Sequence, residues 1–333
     1  HPAMSTTPPP VDRRAMLRRG AAAALLAWPA LHARAAEPPR TMRWLLGFPP
    51  GGGTDTLLRV LAPQVGRRLG ATIVIENKPG ANGNLASDAV AKAAPDGGTW
   101  LYNTSSVVTG PWLYKNLAFD PFRDFAPVAL VANIPLLLVA HPGLAANTLA
   151  EFVALAKAQP GRLTYASAGN GNVTHLANLL FQQAAGISAV HVPYRGGGLA
   201  LNDTVAGHVQ FYMDTANTAL GFVKEGRLHA LAGTGTTRLA ALPEVPTVAE
   251  TVAPGFEAGS WSGLLAPART PPTLIRQVAA AVLDALREPE LEARFAAQSA
   301  LIRGLGPQDY ASFLRAEYDR WGRIIRGNGI SLE

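Results

Sequence analysis

The sequence contains no cysteine, which excludes disulfide stapling, thiol catalysis and anchoring through a lipidated cysteine. Charge is also scarce: 16% of the 333 residues are charged and 48% are hydrophobic, so a disordered chain is excluded and a packed core is required. No apolar run reaches the roughly 20 residues that span a bilayer. Ala21 to Leu31 is too short, and Pro127 to Ala140 is both short and interrupted by Pro135. Heptads and short-period repeats are missing, so a fibre or solenoid is excluded and the length suggests about two lobes. The histidines beyond residue 36 (His141, His175, His191, His208, His229) are dispersed, without the spacing of a metal site. No Gly-x-Ser-x-Gly turn is present to expose a nucleophilic serine.

A net charge of +6 invites a nucleic-acid reading, but its location removes most of that signal. Residues 1–36 hold five arginines and one acid, which leaves 24 basic and 22 acidic side chains from residue 37 onward, of 29 and 23 in the whole chain. The remainder carries no basic run with interleaved aromatics, so no nucleic-acid partner is expected. Residues 1–36 read as an export signal: an arginine-bearing stretch, the apolar run Ala21 to Leu31, then Ala33-Arg34-Ala35 as the cleavage site. Arg13-Arg14 resembles the twin-arginine signal, which implies export into the periplasm of a Gram-negative bacterium. His1-Pro2-Ala3 before Met4 reads as a cloning remnant.

From residue 42 onward, short apolar runs alternate with helix-spaced ones, the pattern of an α/β fold with a mostly parallel sheet. Strands are expected at 42–48, 71–76, 99–104, 163–167, 189–194, 209–214, 228–234 and 260–266. Helices are expected at 57–69, 85–93, 149–158, 174–185, 199–206, 218–224, 274–287, 290–299 and 307–326. The run 127–140 reads as two buried strand segments divided at Pro135, the point where the chain passes between lobes.

Chemistry should gather at the carboxyl ends of the strands. Phe48-Pro49-Pro50-Gly51-Gly52-Gly53-Thr54-Asp55 is a glycine-rich turn between strand and helix. Its backbone N–H groups and the positive end of the helix dipole suit an anion such as a carboxylate, without lysine or arginine. Asp55 or Thr54 acting only as a helix cap is the bland reading. Ser167-Ala168-Gly169-Asn170-Gly171-Asn172-Val173-Thr174-His175 has the same design in the second lobe. Together the two loops form a pair of cradles for a small diacid, with Ser167, Asn170 and Thr174 as neutral hydrogen-bonding groups and His175 as a cap. This reading makes Gly52→Val and Gly169→Val binding-null. Tyr194 and Arg195, before the glycines 196–198, Asp214 at a strand end and Ser105 complete the candidate contacts. Trp112, Trp261 and Leu264 stand open between a specificity role and the core. Ser105, His175 and Asp214 define the alternative, a secreted hydrolase with a nucleophilic set.

These residues resemble the Bug (Bordetella uptake gene) family, the periplasmic substrate-binding receptors of tripartite tricarboxylate transporters. The resemblance runs in order through Phe48 to Asp55, Glu76 to Ala81, Tyr165 to Leu176, Val192 to Gly198, Asp214, Leu242 to Thr247 and Trp261 to Pro267. Ala168 departs from it, standing where many relatives have a second serine. The resemblance implies a two-lobed periplasmic-binding-protein fold of type II, the Venus flytrap, with a ligand cleft between lobes. Lobe one would comprise 37–137 and 257–333, and lobe two 138–256. It further implies a monomer without cofactor or catalysis. Such a receptor captures a di- or tricarboxylate, an acidic amino acid or an aromatic acid, and delivers it to inner-membrane transporter subunits.

Overall fold

The alternation of short apolar runs and helix-spaced residues produces a mixed α/β, two-lobed fold in a computed structural model that describes residues 37–327 and 329–332. The export signal expected at residues 1–36 lies outside the described residues. In chain order the first elements are β1 (Thr41–Leu46), α1 (Gly53–Leu69), β2 (Thr72–Asn77), α2 (Asn84–Ala91), β3 (Thr99–Thr104), α3 (Ser106–Leu113) and β4 (Phe125–Ala140). Next come α4 (Leu149–Ala158), β5 (Thr164–Ser167), α5 (Val173–Ala185), β6 (Val190–Pro193), α6 (Gly197–Val205), β7 (Phe211–Thr215), α7 (Ala216–Lys224), β8 (His229–Gly233) and α8 (Val248–Thr251). The chain closes with β9 (Gly259–Pro267), α9 (Pro272–Leu286), α10 (Pro289–Ala297), β10 (Leu301–Leu305) and α11 (Pro307–Gly327).

β4 is the spine of the molecule. The strands run β2-β1-β3-β9-β4-β7-β5-β6, with β8 and β10 also paired to β4. Residues 125–135 of β4 pair antiparallel with β9, from Phe125 opposite Pro267 to Pro135 opposite Gly259. Residues 136–140 pair antiparallel with β7, beginning at Leu136 opposite Thr215. The expected division at Pro135 is therefore an exchange of partners inside one continuous strand. Proline, which cannot donate to a ladder, is tolerated where one ladder stops and the next begins. β1 pairs parallel with β2 and β3, and β5 with β6 and β7, while β8 and β10 join β4 antiparallel and β3 joins β9 antiparallel.

Both faces of the spine are covered. Leu136, Leu138 and Ala140 pack with Phe152, Phe181 and Met213, while Leu137 and Val139 pack on the other face with Leu201, Tyr212 and Leu220. Such two-sided burial gives the continuous apolar run seen in the sequence. Three elements lie outside the expected pattern: the four-residue α8, α3 and β10. α3 forms from Ser-Val-Val-Thr-Gly-Pro-Trp-Leu, a sequence of poor helix formers, and six of its eight residues are buried, so packing overrides propensity. β10, with the partly exposed sequence Leu-Ile-Arg-Gly-Leu, gives too short and irregular a signal to be read before its pairing with β4 is seen.

Candidate functional site

The carboxyl ends of the parallel strands in both halves point toward the partner exchange on β4. A cleft of about 680 Å³ lies there. The β1–α1 loop (48–56) lines one side. Segments after β5, β6 and β7 line the other. Of the residues singled out in the sequence, Phe48, Gly51, Gly52, Gly53, Thr54, Asp55, Ala168, Thr174, Arg195 and Asp214 line this cleft. Ser105, Ser167, Gly169, Asn170, His175 and Tyr194 do not. Trp112, Trp261 and Leu264 do not line it either: the Trp112 indole donates to the Tyr318 carbonyl, and Trp261 and Leu264 are core residues.

Three helices present uncapped N-termini here. Gly52 precedes α1, Gly196 precedes α6 and Thr215 precedes α7, none with a side-chain cap. A glycine N-cap has no side chain with which to satisfy the first-turn N–H groups, so they remain available to an anion. The loop 168–175 is different, because most of its N–H groups are spent internally. Ala168 N donates to Thr174 Oγ1 at 2.9 Å, Gly169 N to Ser167 Oγ at 3.2 Å, Gly171 N to His175 Nδ1 at 3.1 Å and Thr174 N to Asn172 Oδ1 at 3.0 Å. The glycine run before α6 faces the β1–α1 loop instead. Its readable signal was the same as that of the first loop, glycines between a strand and a helix.

Asp55 braces the first loop. Its two oxygens accept from Gly51 N at 2.9 Å, Asn77 Nδ2 at 2.9 Å, and Arg59 Nε and Nη2 at 2.8 and 3.0 Å. Burial pushes its pKa up, but these hydrogen bonds and the guanidinium charge together outweigh burial and hold it below the ordinary value. Asn77 also donates to the Phe48 carbonyl at 2.9 Å, so the loop is fixed at both ends. Asp214 sits at the floor. Burial pushes its pKa up to about 6, against hydrogen bonds led by the Thr218 hydroxyl, which donates to Oδ2 at 2.6 Å. The fully buried Tyr212 hydroxyl lies beside Asp214 and Thr174 without completing a hydrogen bond of normal geometry.

The lobes meet across the cleft. Asn217 Nδ2 donates to the Gly53 carbonyl at 2.9 Å and to Thr56 Oγ1 at 3.1 Å, and Asn172 Nδ2 donates to Asn82 Oδ1 at 3.3 Å. At Gly196, with φ +137°, an added Cβ would stand 2.9 Å from the Pro49 ring. Only glycine combines that backbone with so close an approach.

The hydrolase alternative is not assembled. His175 lies flat on His191, with ring centroids 4.0 Å apart, and its Nδ1 is engaged by Gly171. The Ser167 hydroxyl and His191 Nε2 are 2.6 Å apart. Among the described residues no hydrogen bond joins Ser105, His175 and Asp214. Burial, reinforced at His175 by the His191 charge, lowers both imidazole pKa values to about 4. Both rings are therefore neutral in the folded chain, while an unfolded histidine titrates near 6.5. Their contribution to stability is complete above pH 6.5 and is lost as pH falls toward 4. Between pH 7 and 5 the two rings lose about 2 to 3 kcal/mol after discounting for the half-buried His191, while protonation of Asp214, raised to about 6, returns about 1 kcal/mol, so a net loss of about 1 to 2 kcal/mol is expected. Urea unfolding at the two pH values checks this: His191→Phe should remove most of the net loss, and an unchanged difference contradicts the assignment.

Comparison with known proteins agrees with this geometry. Residues 57–330 match the family described as "Tripartite tricarboxylate transporter family receptor". The solved periplasmic binding protein BugD superposes with a TM-score of 0.84 at 29% identity, covering 88% of this chain and 99% of that one. A Rhodopseudomonas palustris protein, Rpa4515 with adipate, gives 0.85 at 31% identity over 88% and 99% of the two chains. MatC of the same organism, with bound malate, gives 0.80 at 33% over 86% and 99%.

Proposed function

The chain belongs to the tripartite tricarboxylate transporter receptor family, and from that premise we propose that it is an exported periplasmic receptor for a small carboxylate-bearing solute. The solute is held between the lobes and handed over chemically unaltered to membrane transporter subunits, with the protein acting as a monomer. The observation that carries this reading is the convergence of three uncapped helix N-termini on one cleft. Backbone N–H groups and helix dipoles bind an anion without a dedicated cation, and a fixed loop braced by Asp55 keeps them aimed. Adipate and malate in similar receptors support a carboxylate as the guest.

The direct contacts proposed are Gly52, Gly53, Thr54, Thr174, Arg195 and Asp214, joined by Gly197, Gly198, Tyr212 and Asn217. Asp55 and His175 position loops. In this reading lobe one is 37–137 with 257–333 and lobe two is 138–256. The change of partner between Pro135 and Leu136 of β4 falls within two residues of the first boundary. Hinge closure about these two crossings is the working motion.

A thermal-shift panel on residues 37–333 tests the function, with mono-, di- and tricarboxylates, acidic amino acids, aromatic acids and uncharged sugars. A ligand at one hundred times its dissociation constant stabilises the chain by about 2.7 kcal/mol. Shifts confined to carboxylates are expected. A shift with sugars alone contradicts the reading, as does turnover of a bound acid or ester.

A further inference from the structure

On the face of β9 away from the solute cleft lies a second cavity, of about 600 Å³. Ser260 lines the cleft, whereas its neighbours Gly259 and Trp261 line this cavity, as the alternation of side chains along a strand requires. Trp261 of β9 stands opposite Asn133 of β4, and Asn133 stands opposite Leu301 of β10, so the three form one row across the sheet. All three line the cavity, together with Ile134, Leu239 and Phe313.

One polar group in this apolar setting is incomplete. Asn133 Oδ1 is buried and accepts no hydrogen bond. Its neighbours in the row cannot supply one, because the Trp261 indole donates to Glu317 at 2.9 Å and the leucine has no donor. A buried acceptor in this condition calls for a donor from outside the chain. The charges around the cavity ask for nothing further. Arg238 is paired with Glu250 at 3.1 Å and Arg320 with Glu317 at 3.1 Å, while Arg303 and Glu257 are exposed and of opposite sign. The rim therefore makes no net demand for a charged guest.

We propose that this cavity is a second ligand site, for a small neutral aromatic compound bearing one hydrogen-bond donor, and that its occupation favours closure of the lobes over the cleft. The donor completes Asn133, and the ring lies among Trp261, Phe313 and Leu301, the last of which is 60% exposed without a guest. The coupling rests on the receptor reading above; the site itself does not. Residues 235–241 reach the cavity from lobe two, and α10, β10 and α11 reach it from lobe one. In this structure the lobes touch in front through Asn217 and Asn172 while the cavity behind is open. Opening the cleft about the strands between them swings 235–241 toward α10 and β10 and narrows the cavity. An occupant therefore binds the closed form better, and by reciprocity the solute binds more tightly when the cavity is filled.

Calorimetric titration of residues 37–333 with free indole and with N-methylindole tests the site. The two differ only in the ring N–H, which the methyl group replaces, so apolar contact alone favours N-methylindole. Indole is expected to bind about fivefold more tightly or better, because its N–H completes Asn133. Asn133→Leu, which removes an amide oxygen that has no partner, is expected to fold and to reverse the order. Ala296→Trp, at an exposed position on α10, fills the cavity and abolishes binding of both compounds. N-methylindole equal to or tighter than indole, indole binding unchanged in either variant, or no indole binding at all overturns the proposal and leaves the carboxylate receptor standing. For the coupling, the acid giving the largest thermal shift is titrated with and without saturating indole, and about three- to tenfold tightening is expected. Unchanged or weakened affinity overturns the coupling. If no carboxylate binds, the receptor reading falls and the coupling falls with it, while the two indoles still decide the site.

Discussion

Gly53→Val is expected to weaken solute binding at least about a hundredfold, a loss of about 2.7 kcal/mol, and to leave the unliganded chain folded. Gly53 is the first residue of α1, and its Cβ would lie 2.5 Å from Thr215 Oγ1 and 2.6 Å from Asn217 Oδ1 on the opposite side of the cleft. A branched side chain at this point acts as a wedge between lobes. Nothing in its own backbone forbids the substitution, because Gly53 does not have a positive φ. Gly52 is different, since an added Cβ there meets only the Pro49 carbonyl oxygen at 4.0 Å. The large effect first expected at Gly52 therefore moves one residue along. Asn217→Ala removes the hydrogen bonds to Gly53 and Thr56 but inserts nothing, so a loss of only about three- to tenfold follows. Calorimetric titration of the three variants, with circular dichroism as the check on folding, decides the matter. Gly53→Val within threefold of the parent would show that closure at this point is not part of binding.

Glu317→Ala should destabilise the protein by about 3 kcal/mol without touching the cleft. The Glu317 carboxylate, on α11, accepts from the Trp261 indole at 2.9 Å, the Trp321 indole at 3.1 Å and Arg320 at 3.1 Å. Removing it leaves two buried indole N–H groups without an acceptor beside a cavity. The contact joins α11 to β9, whose first residues follow the lobe boundary proposed at residues 256 and 257. Glu317→Gln keeps an acceptor for the indoles and is expected to cost less than half as much. Urea unfolding of both variants reads the difference. A Glu317→Ala cost below about 0.5 kcal/mol would mean that the indoles find other partners.

Much of this architecture was legible because local pattern and tertiary role agree. The βα alternation, the glycine turn after β1, and Asp214 at a strand end could all be read directly. The two loops that looked alike were separated by one detail, the residue before the helix. Asn172 carries an oxygen that caps α5, whereas Gly52 and Gly196 leave α1 and α6 open. That signal was in the sequence, and capping chemistry gives its meaning. Other features were not local. The exchange of β4 partners at Pro135 depends on two strands more than seventy residues away in the chain, and α3 exists because its surroundings bury it. His175 and His191, sixteen positions apart, become a stacked pair only when β6 aligns beside β5.

The claim that a carboxylate is the group gripped is tested most directly by a matched pair: the acid giving the largest thermal shift, and its primary amide, titrated calorimetrically into residues 37–333. Shape and apolar surface are nearly the same in the two, and only the anionic charge and its acceptor oxygen differ. Binding of the acid with the amide weaker by about a hundredfold or more is the expected result, since three helix N-termini offer donors to an anion and the amide nitrogen can only repel them. Equal affinities would contradict the account, because the cleft would then be reading the body of the solute and not its charge.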